Sequence, residues 1–318
     1  MRIALIDEDS SRFPNLALMK LSAWHKVAGD SVEWHQPGKH YNRVYLSKIF
    51  TASPAYSKPI LADEIIRGGT GYDLQNTLPA EIEAMCPDYE FYPQYPEAYG
   101  LLTRGCPRNC AFCIVSQKEG HISRQVADLQ DFYRGQRVIK LLDPNLLACA
   151  DRERLLQQLA ESHAHIDFTQ GLDIRLTKDI LPLLNEIKIK MLHFAWDDPH
   201  EDLTGHFAFL AEHSTERNPR NRRVYVLTNF WSTHAEDLWR IDTLVRLGFD
   251  PYVMIYDKHE FVNARDRWLA DAHTRHTPET LRHFKLCQHL QRWCNHKGIF
   301  RSGVSFANYI KGKRGFDP

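Results

Sequence analysis

Residues Leu101–Cys113 read LLTRGCPRNCAFC. A short apolar run gives way to Gly105, and Cys106, Cys110 and Cys113 follow in close order, with Pro107 beside the first. The other four of the seven cysteines, Cys86, Cys149, Cys287 and Cys294, are scattered. An odd, dispersed set of this kind is not a disulfide framework, so the thiols are available as metal ligands. Structural zinc needs four closed ligands, and no fourth Cys or His stands at finger spacing, His121 and Cys149 being the next candidates. A cubane iron–sulfur cluster held by three thiolates leaves one iron open, the arrangement of a catalytic rather than a structural metal site.

Downstream of the cysteines, apolar runs alternate with helical spacing. Gly100–Thr103 leads into the loop, and a helix is expected around Val126–Tyr133. Strands are expected at Val138–Leu142, Ile166–Thr169, Met191–Trp196, Val224–Thr228 and Tyr252–Tyr256. Helices at Arg152–Ser162, Lys178–Glu186, Leu203–Glu212 and Ala235–Leu247 separate them. Six βα steps predict a partial (β/α)6 TIM-like barrel, shorter than the eight of a full barrel. In such sheets chemistry gathers at the carboxyl ends of the strands, where the cysteine loop stands.

Upstream, RIALID (Arg2–Asp7) suits a buried strand and Leu16–Val27 has helical spacing. Val32–Trp34 and Arg43–Leu46 read as further strands, which together predict a small parallel α/β domain. PDYEFYPQYPEAYG, ending at Gly100, reads as a linker. The expected boundaries are residues 1–95, 96–260 and 261–318.

The spacing CxxxCxxC, with Phe112 just before the last cysteine, resembles the signature of the radical S-adenosylmethionine superfamily. LLTRGCPRNCAFC is similar to the segment of methylthiotransferases and of radical enzymes with a cobalamin-binding-like, flavodoxin-like N-terminal domain. The resemblance covers architecture along most of the chain and motifs around residues 100 to 120. It implies a 4Fe–4S cluster on Cys106, Cys110 and Cys113, with S-adenosylmethionine on the open iron and Phe112 near its adenine. It also implies reductive cleavage to a 5′-deoxyadenosyl radical that abstracts hydrogen from a substrate, fed by a one-electron donor of flavodoxin or ferredoxin type. Two departures count. The loop after the first strand reads DEDSSRFPN, without the DxHxxG histidine that ligates cobalt, which argues against cobalamin. Cys86 stands alone before the motif, which argues against a methylthiotransferase's second cluster.

Further polar residues fall at expected strand ends. Asp143 and Asn145 in LLDPNLLA stand where the resemblance places groups facing the methionine end of the cofactor, although Asp-Pro-Asn also suits a plain turn. Gln170, Asp173 and Arg175 cluster in TQGLDIRLT, where an arginine fork could take a carboxylate or pair with Asp173 as scaffold. His193, Trp196, Asp197, Asn229, Tyr256 and Asp257 close the later strands. GGTGYD, with Gly68, Gly69 and Gly71, completes no phosphate-loop pattern and reads as a turn. Cys287 and Cys294, two helical turns apart on one face, read as buried packing.

The formal charge of zero, with 43% hydrophobic and 25% charged residues, excludes a disordered chain and gives no overall sign of polyanion binding. Residues 261–318 are locally basic, with 11 Lys or Arg against 4 Asp or Glu. With Trp268, Trp293, Phe300, Phe306 and Tyr309 this tail offers a nucleic-acid contact or, equally, a packed C-terminal helix. No apolar run reaches a membrane span and MRIALIDEDSS is not a signal peptide, so a cytoplasmic protein without membrane contact is expected. Radical hydrogen abstraction is the leading expectation. Its alternatives are cobalamin-dependent radical methylation, nucleic-acid base modification and, outside enzymes, a zinc-stabilised binding protein.

Overall fold

Strand β1 (Arg2–Asp7) sends Ile3 and Leu5 to one face and Ala4 and Ile6 to the other, and all four are buried, as alternation requires of a central strand. The computed structural model describes residues 1–9, 13–259 and 277–311. Helix α1 (Leu16–Val27) starts where the Asn15 side chain accepts the Leu18 N–H at 3.2 Å. It lays Leu18, Met19 and Leu21 over Ile3 and Leu5. Strands β2 (Ser31–Trp34), β3 (His40–Ser47) and β4 (Leu61–Gly68) join in parallel, in the order β2-β1-β3-β4. The direction of the sheet reverses beside β1, as in doubly wound sheets, but the connections 35–39 and 48–60 carry no helix.

The acids after β1 tie down the second of those connections. Asp9 accepts the Ile49 and Phe50 N–H groups at 2.6 and 3.1 Å and the Ser53 hydroxyl at 2.6 Å. Glu8 accepts the Tyr56 N–H at 2.6 Å and the Tyr72 hydroxyl. Ser10, Ser11 and Arg12, the middle of DEDSSRFPN, lie outside the described residues. In the expected turn GGTGYD, Gly69 has φ +97°, and a Cβ there would stand 2.3 Å from the Lys48 carbonyl oxygen.

The Pro- and Tyr-rich stretch after helix α2 (Ala80–Glu83) is not a free linker. It forms a 3₁₀ turn at Tyr89–Phe91, and Phe91 and Tyr92 are buried against the α1 face of the sheet. The Tyr92 hydroxyl donates to Asp7 at 2.9 Å, and that of Tyr89 to the Phe132 carbonyl at 2.7 Å. The composition marks a turn-rich segment; its aromatics make it part of the core.

The chain divides into two units, Met1–Gln170 and Gly171–Pro318, and the expected boundary near 95 separates two sheets inside the first. The second sheet of that unit runs in parallel through β5 (Ala98–Gly100), β8 (Val138–Leu141) and β9 (His165–Asp167). Between β5 and β8, strands β6 (Thr103–Arg104) and β7 (Arg124–Gln125) pair antiparallel around helix α3 (Val115–Glu119). The helix expected around Val126–Tyr133 is absent. Val126 N–H bonds the Leu102 carbonyl at 2.8 Å, and only a 3₁₀ turn, Leu129–Asp131, follows. Helix α4 (Arg152–Glu161) precedes β9 as expected.

The second unit alternates α5 (Thr177–Leu184), β10 (Ile189–Ala195), α6 (Thr204–His213), β11 (Arg222–Thr228), α7 (His234–Arg246) and β12 (Asp250–Ile255). Its three strands are parallel in sequence order. Helix α8 (Pro278–Asn295) packs on β12, where the Asn295 side chain accepts the Val253 N–H at 2.8 Å and Gln291 donates to the Val253 carbonyl at 3.0 Å. In the basic tail, Trp293 packs on Phe300 and Phe306 at 4.8 and 5.5 Å; Trp268 lies outside the described residues. Among the described residues no helix is long and apolar enough to cross a membrane.

Candidate metal centre

The cysteine loop leaves the carboxyl end of β5, and its two ends are fastened together. Thr103 and Arg104 pair with Gln125 and Arg124. Arg104 donates to Glu119 at 2.7 Å and to Glu83 at 2.8 Å, and Glu119 also accepts the Gly105 N–H at 3.1 Å. Lys20 adds a contact of 3.0 Å to Glu83. Burial would raise the Glu83 carboxyl, yet Lys20 and Arg104 hold it below its ordinary value. Gly105 permits this closure: its φ is +89°, and a Cβ would meet the Ile122 carbonyl oxygen at 2.2 Å.

Within the loop the Cys106 N–H bonds the Gly120 carbonyl at 3.1 Å, and the Cys113 N–H closes a turn on the Cys110 carbonyl at 2.9 Å. Asn109 takes a left-handed φ of +48°, which asparagine tolerates better than most residues. All three thiols are half-buried and none is in a disulfide; Phe112 between them is half-buried too.

Asp143 and Asn145, beyond the end of β8, support this loop from behind. Asp143 is buried and accepts the Leu102 N–H at 3.1 Å, the Thr103 N–H at 2.5 Å and the Thr103 hydroxyl at 2.7 Å. Burial pushes its carboxyl up to about 6, against the downward pull of those donors. Its role is therefore to hold the chain that leads into Cys106. Asn145, also buried, donates from Nδ2 to the Cys106 sulfur at 3.5 Å. Its main-chain carbonyl accepts the Ser123 hydroxyl at 2.8 Å, and its Oδ1 is buried without a partner among the described residues.

The remaining expected residues behave differently. Gln170, after β9, is exposed. In the second unit the Arg175 guanidinium forks onto both oxygens of Glu201, with Nε at 2.6 Å, and donates to Asp173 at 2.8 Å. The scaffold pairing of Asp173 with Arg175 is thus present, with Glu201 as a third member that no local pattern signalled. Trp196 is wholly buried and donates to the Glu201 carbonyl at 2.8 Å, and His193 stacks on Tyr225 at 5.4 Å. Asp197 is pushed up to about 6 by burial, with Arg240 opposing. Arg240 of α7 is fully buried, donating to the carbonyls of Trp196 and Leu227 and to Asp237. On a helix that otherwise reads as amphipathic, nothing in the sequence marked it out.

Among the described residues no three His, Cys, Asp or Glu side chains are gathered to hold a metal ion. A zinc ion needs its donors within about 2.0–2.3 Å of one point. In a cubane each thiolate takes its own iron, so its donors stand further apart. The donor set fits the cubane by its chemistry: three thiols on one fastened loop, one accepting an amide N–H as second-shell groups supply. A buried amide oxygen lies on that same asparagine. Neither a protein-family model nor a curated protein matches the chain.

Proposed function

We propose that the chain is a radical S-adenosylmethionine enzyme, a flavodoxin-like N-terminal domain followed by a partial βα barrel, with a 4Fe–4S cluster on Cys106, Cys110 and Cys113. The observation that carries this reading is the three-thiol loop fastened at the carboxyl end of β5 with the Asn145 amide on Cys106. Cluster and S-adenosylmethionine together supply reductive cleavage of the cofactor and hydrogen abstraction from the substrate. The chain's own residues bind and orient. Asn145 steadies the Cys106 thiolate and offers its Oδ1 to the ammonium of the methionine moiety. Phe112 borders the adenine, and Asp143 acts through the backbone of Leu102 and Thr103. Asp173, Arg175 and Glu201 satisfy one another and act as scaffold. Cobalamin has no part in this reading: Glu8 and Asp9, after β1, are engaged by the 48–60 connection. Trp293, Phe300, Phe306 and Tyr309 pack together, which favours a structural role for them over nucleic-acid contact. We place the protein in the cytoplasm, where thiols stay reduced, served by a flavodoxin- or ferredoxin-type electron donor.

The test is 5′-deoxyadenosine formation from S-adenosylmethionine by anaerobically reconstituted, dithionite-reduced protein. Wild type should form it and Cys106→Ala should not. Colourless protein carrying stoichiometric zinc, or a full reducible cluster that neither binds nor cleaves S-adenosylmethionine, would overturn the reading.

A further inference from the structure

The first sheet has a cavity of its own. It measures about 400 Å³, inside the range of roughly 300–1,000 Å³ typical of small-molecule sites. It opens at the carboxyl edge of β1 and β2, where ligands of parallel α/β sheets bind. Asp7 ends β1 there, Trp34 and His35 end β2, and Lys58 and Tyr92 complete the wall.

Trp34, His35 and Lys58 on this wall are only partly engaged by the fold. Trp34 is 40% exposed, although Phe91 and Tyr92 brace its ring at 4.2 and 5.1 Å. A large braced aromatic left open is a stacking face. His35 shares a hydrogen bond of 2.7 Å between Nδ1 and the Tyr56 hydroxyl, while its Nε2 is buried without a partner. An unmade bond of that kind costs about 1–3 kcal/mol. Burial, then the charge of Lys58, holds the imidazole below its ordinary value. Lys58 is exposed and pairs with no carboxylate among the described residues.

We propose that this cavity binds a planar heteroaromatic molecule with one anionic group, of the class of nucleoside monophosphates. The ring lies on Trp34 and the anion meets Lys58. Asp7, whose carboxylate accepts the Tyr92 hydroxyl at 2.9 Å and the Asp9 N–H at 3.2 Å, stands on the same wall. Its negative charge beside a single lysine disfavours a polyphosphate. The proposal stands apart from the cluster.

Calorimetric titration of the full chain with AMP, GMP and adenosine, before any iron is added, tests it. Saturable binding of AMP or GMP at one site per chain is expected, weakened about tenfold or more by Trp34→Ala, the scale of a lost base stack. Lys58→Ala should remove the preference for AMP over adenosine and its sensitivity to salt. Absence of saturable binding by either nucleotide overturns the proposal, as does binding that Trp34→Ala leaves unchanged. If Trp34→Ala fails to fold, judged by its melting transition, the surface variant Lys58→Glu decides: unchanged AMP affinity refutes the site.

Discussion

Cys106, Cys110 and Cys113 stand half-buried on a loop, whereas Cys287 and Cys294 are wholly buried where α8 covers β12. The second pair is packing. Cys294 donates to the Pro251 carbonyl at 3.4 Å, Cys287 lies 3.6 Å from His283 Nε2, and burial pushes both thiols up to about 12. The first three have backbone bonds, access and an amide on one sulfur. The same residue type thus stands in two settings: half-buried thiols on a loop, and wholly buried thiols that serve as small apolar side chains.

Iron content gives the largest expected difference. After anaerobic reconstitution, Cys106→Ala, Cys110→Ala and Cys113→Ala should each lose nearly all of the roughly four irons of a cubane. Cys287→Ala should keep them and lose about 1–2 kcal/mol of stability instead. Loss of iron from Cys287→Ala would break the comparison. Alkylation of the iron-free protein comes next. A thiol at about 12 is ionised about a thousandfold less than an ordinary one near pH 8. Peptide mapping after brief iodoacetamide treatment should therefore find label at 106, 110 and 113, with 287 and 294 labelled only on unfolding.

Two smaller effects sharpen the loop's side. Burial pushes the folded Asp143 carboxyl up to about 6, above the ordinary carboxylate range. The folded state therefore holds more protons between that range and about 6, and this group's contribution to stability falls as pH rises through that window. The stability advantage of wild type over Asp143→Asn should shrink by on the order of 2 kcal/mol between pH 4 and 6.5, read from urea unfolding at each pH. Asn145→Ala removes the N–H donor to Cys106. A neutral hydrogen bond of about 1 kcal/mol corresponds to about 40 mV for one electron, so the cluster's midpoint should move that far negative in a redox titration. An unchanged midpoint would mean that the 3.5 Å contact does not touch the cluster's electronics.

Local pattern made much of this legible. Arg2–Asp7 and Leu16–Val27 fall where apolar periodicity places them, as do the five strands β8 to β12 except in their end residues, because each is an apolar run bounded by turn residues. What escaped depends on partners far along the chain. Val126 does not start a helix because its N–H is taken by Leu102. Phe91 and Tyr92 read as linker because nothing nearby shows the sheet they cover. At the site the three cysteines were visible from spacing alone. Glu83, Glu119 and Glu201 were not, since a glutamate gives no local sign of the arginine it will meet.

The fastening of the cysteine loop bears on the life of the proposed cluster. Because the β6–β7 pairing and the Arg104–Glu119 ion pair join the two ends of the loop through protein groups, part of the chain entropy of closure is met by the fold itself. A cluster destroyed by oxygen would then leave a standing socket rather than an unravelled segment, and rebuilding it would be a matter of resupplying iron and sulfide, not of refolding the protein.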